Sequence, residues 1–100
     1  MSRTVIVRYK TRPEAAAENA RLVRDVYSAL AEAKPGGFNY TTYVLADGVT
    51  FVHVGQHDDE NNPLTSLPAF ATFQSDLAQR CVEPPSPSDA TIVGRYRSAE

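Results

Sequence analysis

The sequence contains no tryptophan, one cysteine and two histidines in 100 residues. A single thiol, Cys81, excludes an internal disulfide framework. No apolar run approaches the roughly 20 residues that a membrane-spanning helix needs. The charged opening residues lead into no apolar core, so they do not read as a secretion signal. Basic charge is scarce: ten Lys and Arg stand against twelve Asp and Glu, a net charge of -2. That balance lacks the positive footprint of a nucleic-acid or anionic-membrane binder. Repeats, low-complexity tracts and interior linkers are absent. These exclusions leave a single domain over residues 1–100, expected to be a soluble protein of the reducing cytoplasm.

What is present alternates between two periodicities. Residues 4–10 repeat every second position, with Val5, Val7 and Tyr9 on one side and Ile6, Arg8 and Lys10 on the other, as in a strand. A helix then starts near Thr11-Arg12-Pro13-Glu14, capped by Thr11 or by Arg12 with Pro13 at its first position. Ala16, Ala20, Val23, Tyr27 and Leu30 form its apolar stripe, with Val26 beside it, and Pro35-Gly36-Gly37 stops it. Residues 38–46 and 49–56 read as strands joined at Asp47-Gly48, a two-residue hairpin signal in which both central positions take positive φ. Counting outward from Ala46 opposite Val49 pairs Val44 with Phe51, Thr42 with His53, Tyr40 with Gly55 and Phe38 with His57. A polar loop over residues 57–66 follows, long enough to act as a lid. A helix from Leu67 or Pro68 to Cys81 presents Phe70, Phe73, Leu77 and Cys81. Pro84, Pro85 and Pro87 prevent its continuation, and residues 90–97 read as the last strand.

This β-α-β-β-α-β order with right-handed crossovers predicts a ferredoxin-like α+β sandwich, a four-stranded antiparallel sheet with two helices on one face. Both sides of the central hairpin carry apolar or aromatic residues, and two helices cover only one. At about 25 cal/mol per Å² of apolar surface, the uncovered side forfeits several kcal/mol unless a second copy buries it. A homodimer packed sheet to sheet is therefore expected.

Among candidate site residues, His53 lies mid-strand beside Thr42, with Tyr40 and Phe51 on the same face. A neutral imidazole there can act as general base or orient a polar ligand. It can equally be a histidine satisfied by Tyr40, Thr42 or water at a dimer interface. Arg8, opposite in direction to Val5, Val7 and Tyr9, is expected on the His53 side of the sheet, anchoring a carboxylate or phenolate. The alternatives for Arg8 are an interface ion pair or a side chain reaching solvent. His57-Asp58-Asp59-Glu60 offers metal-ligand residue types, but its spacing fits neither a zinc nor an EF-hand pattern and reads as a solvated loop. Cys81 reads as a buried inert thiol. Tyr9, Tyr27, Phe70 and Phe73 read as core. Gly36-Gly37 follows a helix instead of opening one, so it cradles no phosphate.

The length, the element order, the Asp47-Gly48 hairpin and the passage Val49-Thr50-Phe51-Val52-His53-Val54, leading through a polar loop to Leu67-Pro68-Ala69-Phe70-Ala71-Thr72-Phe73, resemble the dimeric α/β-barrel superfamily. The nearest branch is that of the antibiotic biosynthesis monooxygenases. The resemblance spans nearly the whole chain. It implies a cavity for a small hydrophobic or aromatic molecule and cofactor-independent oxidation of a phenolic, polyketide-like substrate. His53 would then be catalytic, and Arg8, Tyr40, Thr42 and Phe51 would bind substrate. Haem-degrading relatives carry a histidine on a helix, which neither helix here has, so no haem or other cofactor is implied. Two alternatives stand beside the oxidase: an isomerase or cyclase with His53 carrying the proton, and a dimeric binding module without chemistry. RNA-recognition domains share this topology, but Thr50-Phe51-Val52-His53-Val54-Gly55 lacks the basic residue of their third strand.

Overall fold

The computed structural model describes residues 3–58 and 62–98. β1 (Arg3–Thr11) passes through a 3-10 turn (Pro13–Ala15) into α1 (Ala16–Ala33). Arg12 precedes the turn and Pro13 opens it, where a missing N–H breaks no helical bond. Thr11 caps nothing; it ends β1 fully buried, its hydroxyl 3.4 Å from the Val49 carbonyl. α1 closes at Lys34, whose left-handed φ of 51° lets its amide reach the Leu30 carbonyl before Pro35.

β2 (Phe38–Val44) and β3 (Thr50–His57) pair in the register counted from the sequence, with Thr42 opposite His53 and Val44 opposite Phe51. The turn differs from the two-residue expectation. Leu45 N donates to Thr50 O, Gly48 N donates to Leu45 O, and only Gly48 has positive φ, 77°. Asp47 explains the wider loop over residues 46–49. Its carboxylate accepts from the Thr50 hydroxyl and from the Val49 and Thr50 amides, which together hold its pKa at about 2. Ala46 therefore does not pair with Val49.

The second helix is two pieces, α2 (Pro68–Ser75) and α3 (Leu77–Arg80), after a short 3-10 turn (Pro63–Ser66). Leu67 takes the position before Pro68 without a side-chain cap. A continuous helix would use the Phe73 carbonyl to accept from Leu77. Here the Arg80 guanidinium occupies that carbonyl at 2.8 Å, and the chain breaks at Asp76.

The sheet order is β2-β3-β1-β4. β4 (Cys81–Ala90) corrects the expected position of the last strand: pairing with β1 ends at Ala90, and residues 91–98 have no regular structure. Cys81 thus begins a strand, half-buried against the core, instead of ending a helix stripe. The prolines stop the helix yet do not stop a strand, because β4 is an edge. Arg8 pairs with Ser86 and Lys10 with Glu83, so Pro84 and Pro85 together oppose Tyr9 in a bulge that needs no ladder bond from either.

Val7 lies opposite His53 and Tyr9 opposite Phe51, all on the face covered by the helices. Tyr9, Phe51 and Phe73 form the core there with Leu22, Val26 and Leu77. Arg8 lies opposite Val52 on the other face and is exposed. Arg8 and His53 therefore do not share a face. A helix separates β1 from the hairpin in sequence, so no short turn sets the parity between them.

Gly48→Ala is expected to destabilise the fold by about 1 kcal/mol, because an L-residue enters the left-handed region only with strain. Urea titration checks this as a lower midpoint at unchanged slope.

Candidate functional site

A cavity of about 440 Å³ lies between the sheet and the helices. β1 contributes Val5, Val7 and Tyr9, the hairpin contributes Phe38, Tyr40 and His53, and α2 contributes Phe70 and Phe73. Its more exposed lining is polar: Arg3, Thr65 and Gln74. The stretch 62–66, within the polar loop predicted as a lid, does line the cavity through Asn62, Leu64 and Thr65. Asp59 and Glu60 lie outside the described residues. His57 is buried and also lines the cavity.

His53 is 5% exposed and sits within an aromatic enclosure. Its ring centroid lies 5.3 Å from Tyr9, 5.6 Å from Phe73 and 5.8 Å from Tyr40. Both ring nitrogens are engaged. Nε2 is 2.8 Å from the Tyr9 hydroxyl, and Nδ1 is 2.6 Å from the Tyr40 hydroxyl and 3.1 Å from that of Thr42. Thr42 continues to Tyr27 at 2.9 Å. Burial removes water from the imidazolium and pushes the His53 pKa down to about 4, so the ring is neutral at pH 7. Burial also raises the Tyr9 and Tyr40 phenols above their ordinary value, against lowering hydrogen bonds from Asn19 and Thr42 respectively. The His53 imidazole and the Tyr9 and Tyr40 phenols are therefore uncharged.

Of the residues singled out in the sequence, Tyr40 and Thr42 bond to His53 and Phe51 stacks on Tyr9 at 5.5 Å; of the three only Tyr40 lines the cavity, so Thr42 and Phe51 are not placed to touch a ligand there. Arg8 stands apart on the open face. The cation at the cavity is Arg3, which also pairs with Asp89 at 3.0 Å. Three further members escaped sequence reasoning. Tyr9 reads as core and is core, yet its hydroxyl joins the cluster. Asn19 is wholly buried on the inner side of α1 and donates to Tyr9 at 2.9 Å. Arg80, 6% exposed, donates through Nε to Asn19 Oδ1 at 3.0 Å and lies over the Phe73 ring. Asn19 carries a signal: it sits four residues before Val23 and three after Ala16, within the apolar stripe. Arg80 carries none, since a basic residue in the last turn of a helix is ordinary. Among the described residues, no three His, Cys, Asp or Glu side chains converge as metal ligands.

The His53 pKa has a consequence for stability. In the unfolded chain the imidazole titrates near its ordinary value of about 6.5, while in the fold it resists protonation down to about 4. Between these values the unfolded state binds a proton that the native state does not. Stability from this group is complete above pH ~6.5 and falls by about 3 kcal/mol as the pH drops to about 4. Denaturation midpoints across that range check this, and His53→Gln is expected to flatten the slope. Tyr9→Phe strips a partner from both Asn19 and His53 and is expected to cost about 2–3 kcal/mol in the same assay.

No family model and no curated protein sequence matches the chain. Solved structures do. Rv0793 of Mycobacterium tuberculosis superimposes with a TM-score of 0.76 at 17% identity, covering 97% of this chain and 100% of that one. A candidate antibiotic biosynthesis monooxygenase from Nitrosomonas europaea gives 0.76 at 14% identity, covering 92% and 90%. SnoaB of Streptomyces nogalater, a cofactor-independent oxygenase, gives 0.71 at 16% identity, covering 97% and 98%. The chain has the ferredoxin-like α+β fold of the antibiotic-biosynthesis-monooxygenase-like proteins.

Proposed function

We propose that the protein binds a flat aromatic small molecule in the cavity and oxidises it without a cofactor. The observation that carries this reading is an aromatic cavity with a neutral hydrogen-bonded set, Tyr9–His53–Tyr40, in its inner wall. Such a wall suits a ring stacked on the aromatic side chains with one oxygen directed at Tyr40. In an anthrone-type substrate, loss of a ring proton gives an anion whose charge collects on that oxygen. A hydroxyl donor on the inner wall of the cavity stabilises the anion. The anion supplies the electrons to dioxygen: one oxygen atom becomes the new ring carbonyl and the other leaves as water with the two hydrogens of the oxidised carbon. His53 is too weak a base in this enclosure to take the proton unaided, so the proton passes to solvent at the exposed side of the cavity and is recovered in the water released. His53 holds the Tyr40 oxygen in place, which favours a hydrogen-bonding role over that of a proton carrier. The fold shared with SnoaB supports the same reading.

The reading includes a homodimer formed through the open face of the sheet. That face carries Ile6, Val52 and Val54 at its centre and Tyr43, which is 55% exposed. Beyond β4, Val93 and Tyr96 are also left in solvent. A second copy placed over the sheet would remove this apolar surface from water.

Incubation with anthrone- and catechol-type substrates under oxygen tests the chemistry. Tyr40→Phe is expected to lower turnover by about tenfold or more, the loss of one donor to a developing anion. Saturable binding without product would favour the binding module. Light scattering is expected to give twice the chain mass, and Val54→Lys the mass of one chain.

A further inference from the structure

We propose that Arg80, acting through Asn19, sets the direction of the buried hydrogen-bond chain, so that His53 carries its proton on Nδ1 and the Tyr40 hydroxyl faces the cavity as a donor. The cavity then prefers a ligand with a hydrogen-bond acceptor, a carbonyl or an anionic oxygen, over the matching hydrocarbon. This preference rests on the reading that ligands bind against Tyr40; the direction of the chain does not.

The direction of the chain is set by a group that cannot accept. A guanidinium has only donors. Its Nε–H meets Asn19 Oδ1 at 3.0 Å, so the Asn19 amide cannot flip without setting donor against donor. Asn19 Nδ2 is thereby turned to the Tyr9 oxygen at 2.9 Å and donates to it. The Tyr9 proton must go elsewhere, and among the described residues the acceptor within reach is His53 Nε2 at 2.8 Å. A neutral imidazole that accepts at Nε2 carries its hydrogen at Nδ1. That hydrogen points to the Tyr40 oxygen at 2.6 Å, with Thr42 beside it at 3.1 Å. Tyr40 keeps its own proton for Thr42 or for a ligand. With the chain reversed, Tyr40 would spend that proton on Nδ1 and offer the cavity an acceptor instead.

Arg80 itself is pinned from two other sides, by the Phe73 carbonyl at 2.8 Å and by the Phe73 ring at 5.4 Å. The break between α2 and α3 leaves that carbonyl available. Asn19 and Arg80 are thus positioning residues.

Asn19→Asp reverses the chain at nearly constant shape. The introduced carboxylate accepts from Arg80 and from the Tyr9 hydroxyl, so Tyr9 turns to accept from Nε2–H and Tyr40 donates to Nδ1. Nitrogen-15 NMR of the His53 ring in the free protein reads this directly. The expected result is hydrogen on Nδ1 in the wild type, on Nε2 in Asn19→Asp, and on Nδ1 again in Arg80→Lys, which keeps a donor. An unchanged tautomer in folded Asn19→Asp overturns the proposal whatever the protein binds. Tetralone and tetralin, alike except for a carbonyl, are the ligand probes. The wild type is expected to favour tetralone, and Asn19→Asp to reduce that preference by about tenfold, the worth of one hydrogen bond. If the tautomer switches but the preference does not, the recognition of oxygen at Tyr40 is overturned and the direction of the chain stands. Should Asn19→Asp not fold, Arg80→Met serves: the freed Asn19 amide is expected to mix the two tautomers, and a single Nδ1–H form overturns the proposal.

Discussion

A buried cation is costly unless its hydrogens are received, and the fold around Arg80 is arranged to receive them. Among the described residues Arg80 forms no ion pair; a helix carbonyl, an amide oxygen and the face of Phe73 stand in for a carboxylate. Two features of the architecture follow. The carbonyl is freed by breaking the second helix at Asp76, which shortens α2 and turns the chain into β4. The amide belongs to Asn19, which tolerates complete burial on α1 because Arg80 and Tyr9 use both ends of its side chain. The polar interior and the helix break are therefore one arrangement.

The same arrangement decides what the cavity is chemically. Placing a histidine among Tyr9, Phe73 and Tyr40 suppresses its charge, and placing phenols there suppresses theirs. The uncharged donors and acceptors of Tyr9, His53 and Tyr40 accommodate a neutral aromatic molecule without desolvating an ion. The Arg3 cation belongs to the exposed part of the lining.

The fold was largely legible in residue patterns. Asp47-Gly48 between two alternating runs was enough to number the hairpin register, even though Asp47 builds a broader turn than the dipeptide suggests. The grouping of Tyr40, Thr42 and Phe51 with His53 came from that register. Two matters were not legible. The side of the sheet on which His53 lies depends on how β1 meets β3, a pairing between segments far apart in sequence; the hairpin is apolar on both faces, so hydrophobicity does not choose. The position of β4 was obscured by its prolines, which forbid a helix interior and a central strand but not a bulged edge. Ile92 and Val93 have the composition of a strand, whereas the residues that pair with β1 lie between Cys81 and Ala90, Ser86, Pro87 and Ser88 among them.

The two margins of the sheet consequently differ in what they offer a neighbouring chain. Along β4 three positions, Pro84, Pro85 and Pro87, have no amide hydrogen to offer, and the bulge opposite Tyr9 breaks the regular register. β2 has no proline from Phe38 to Val44, so its outer amides run unbroken. Lateral growth of the sheet, whether by strand addition or by the edge-to-edge stacking that begins aggregation, is thus closed along one margin and directed to the other.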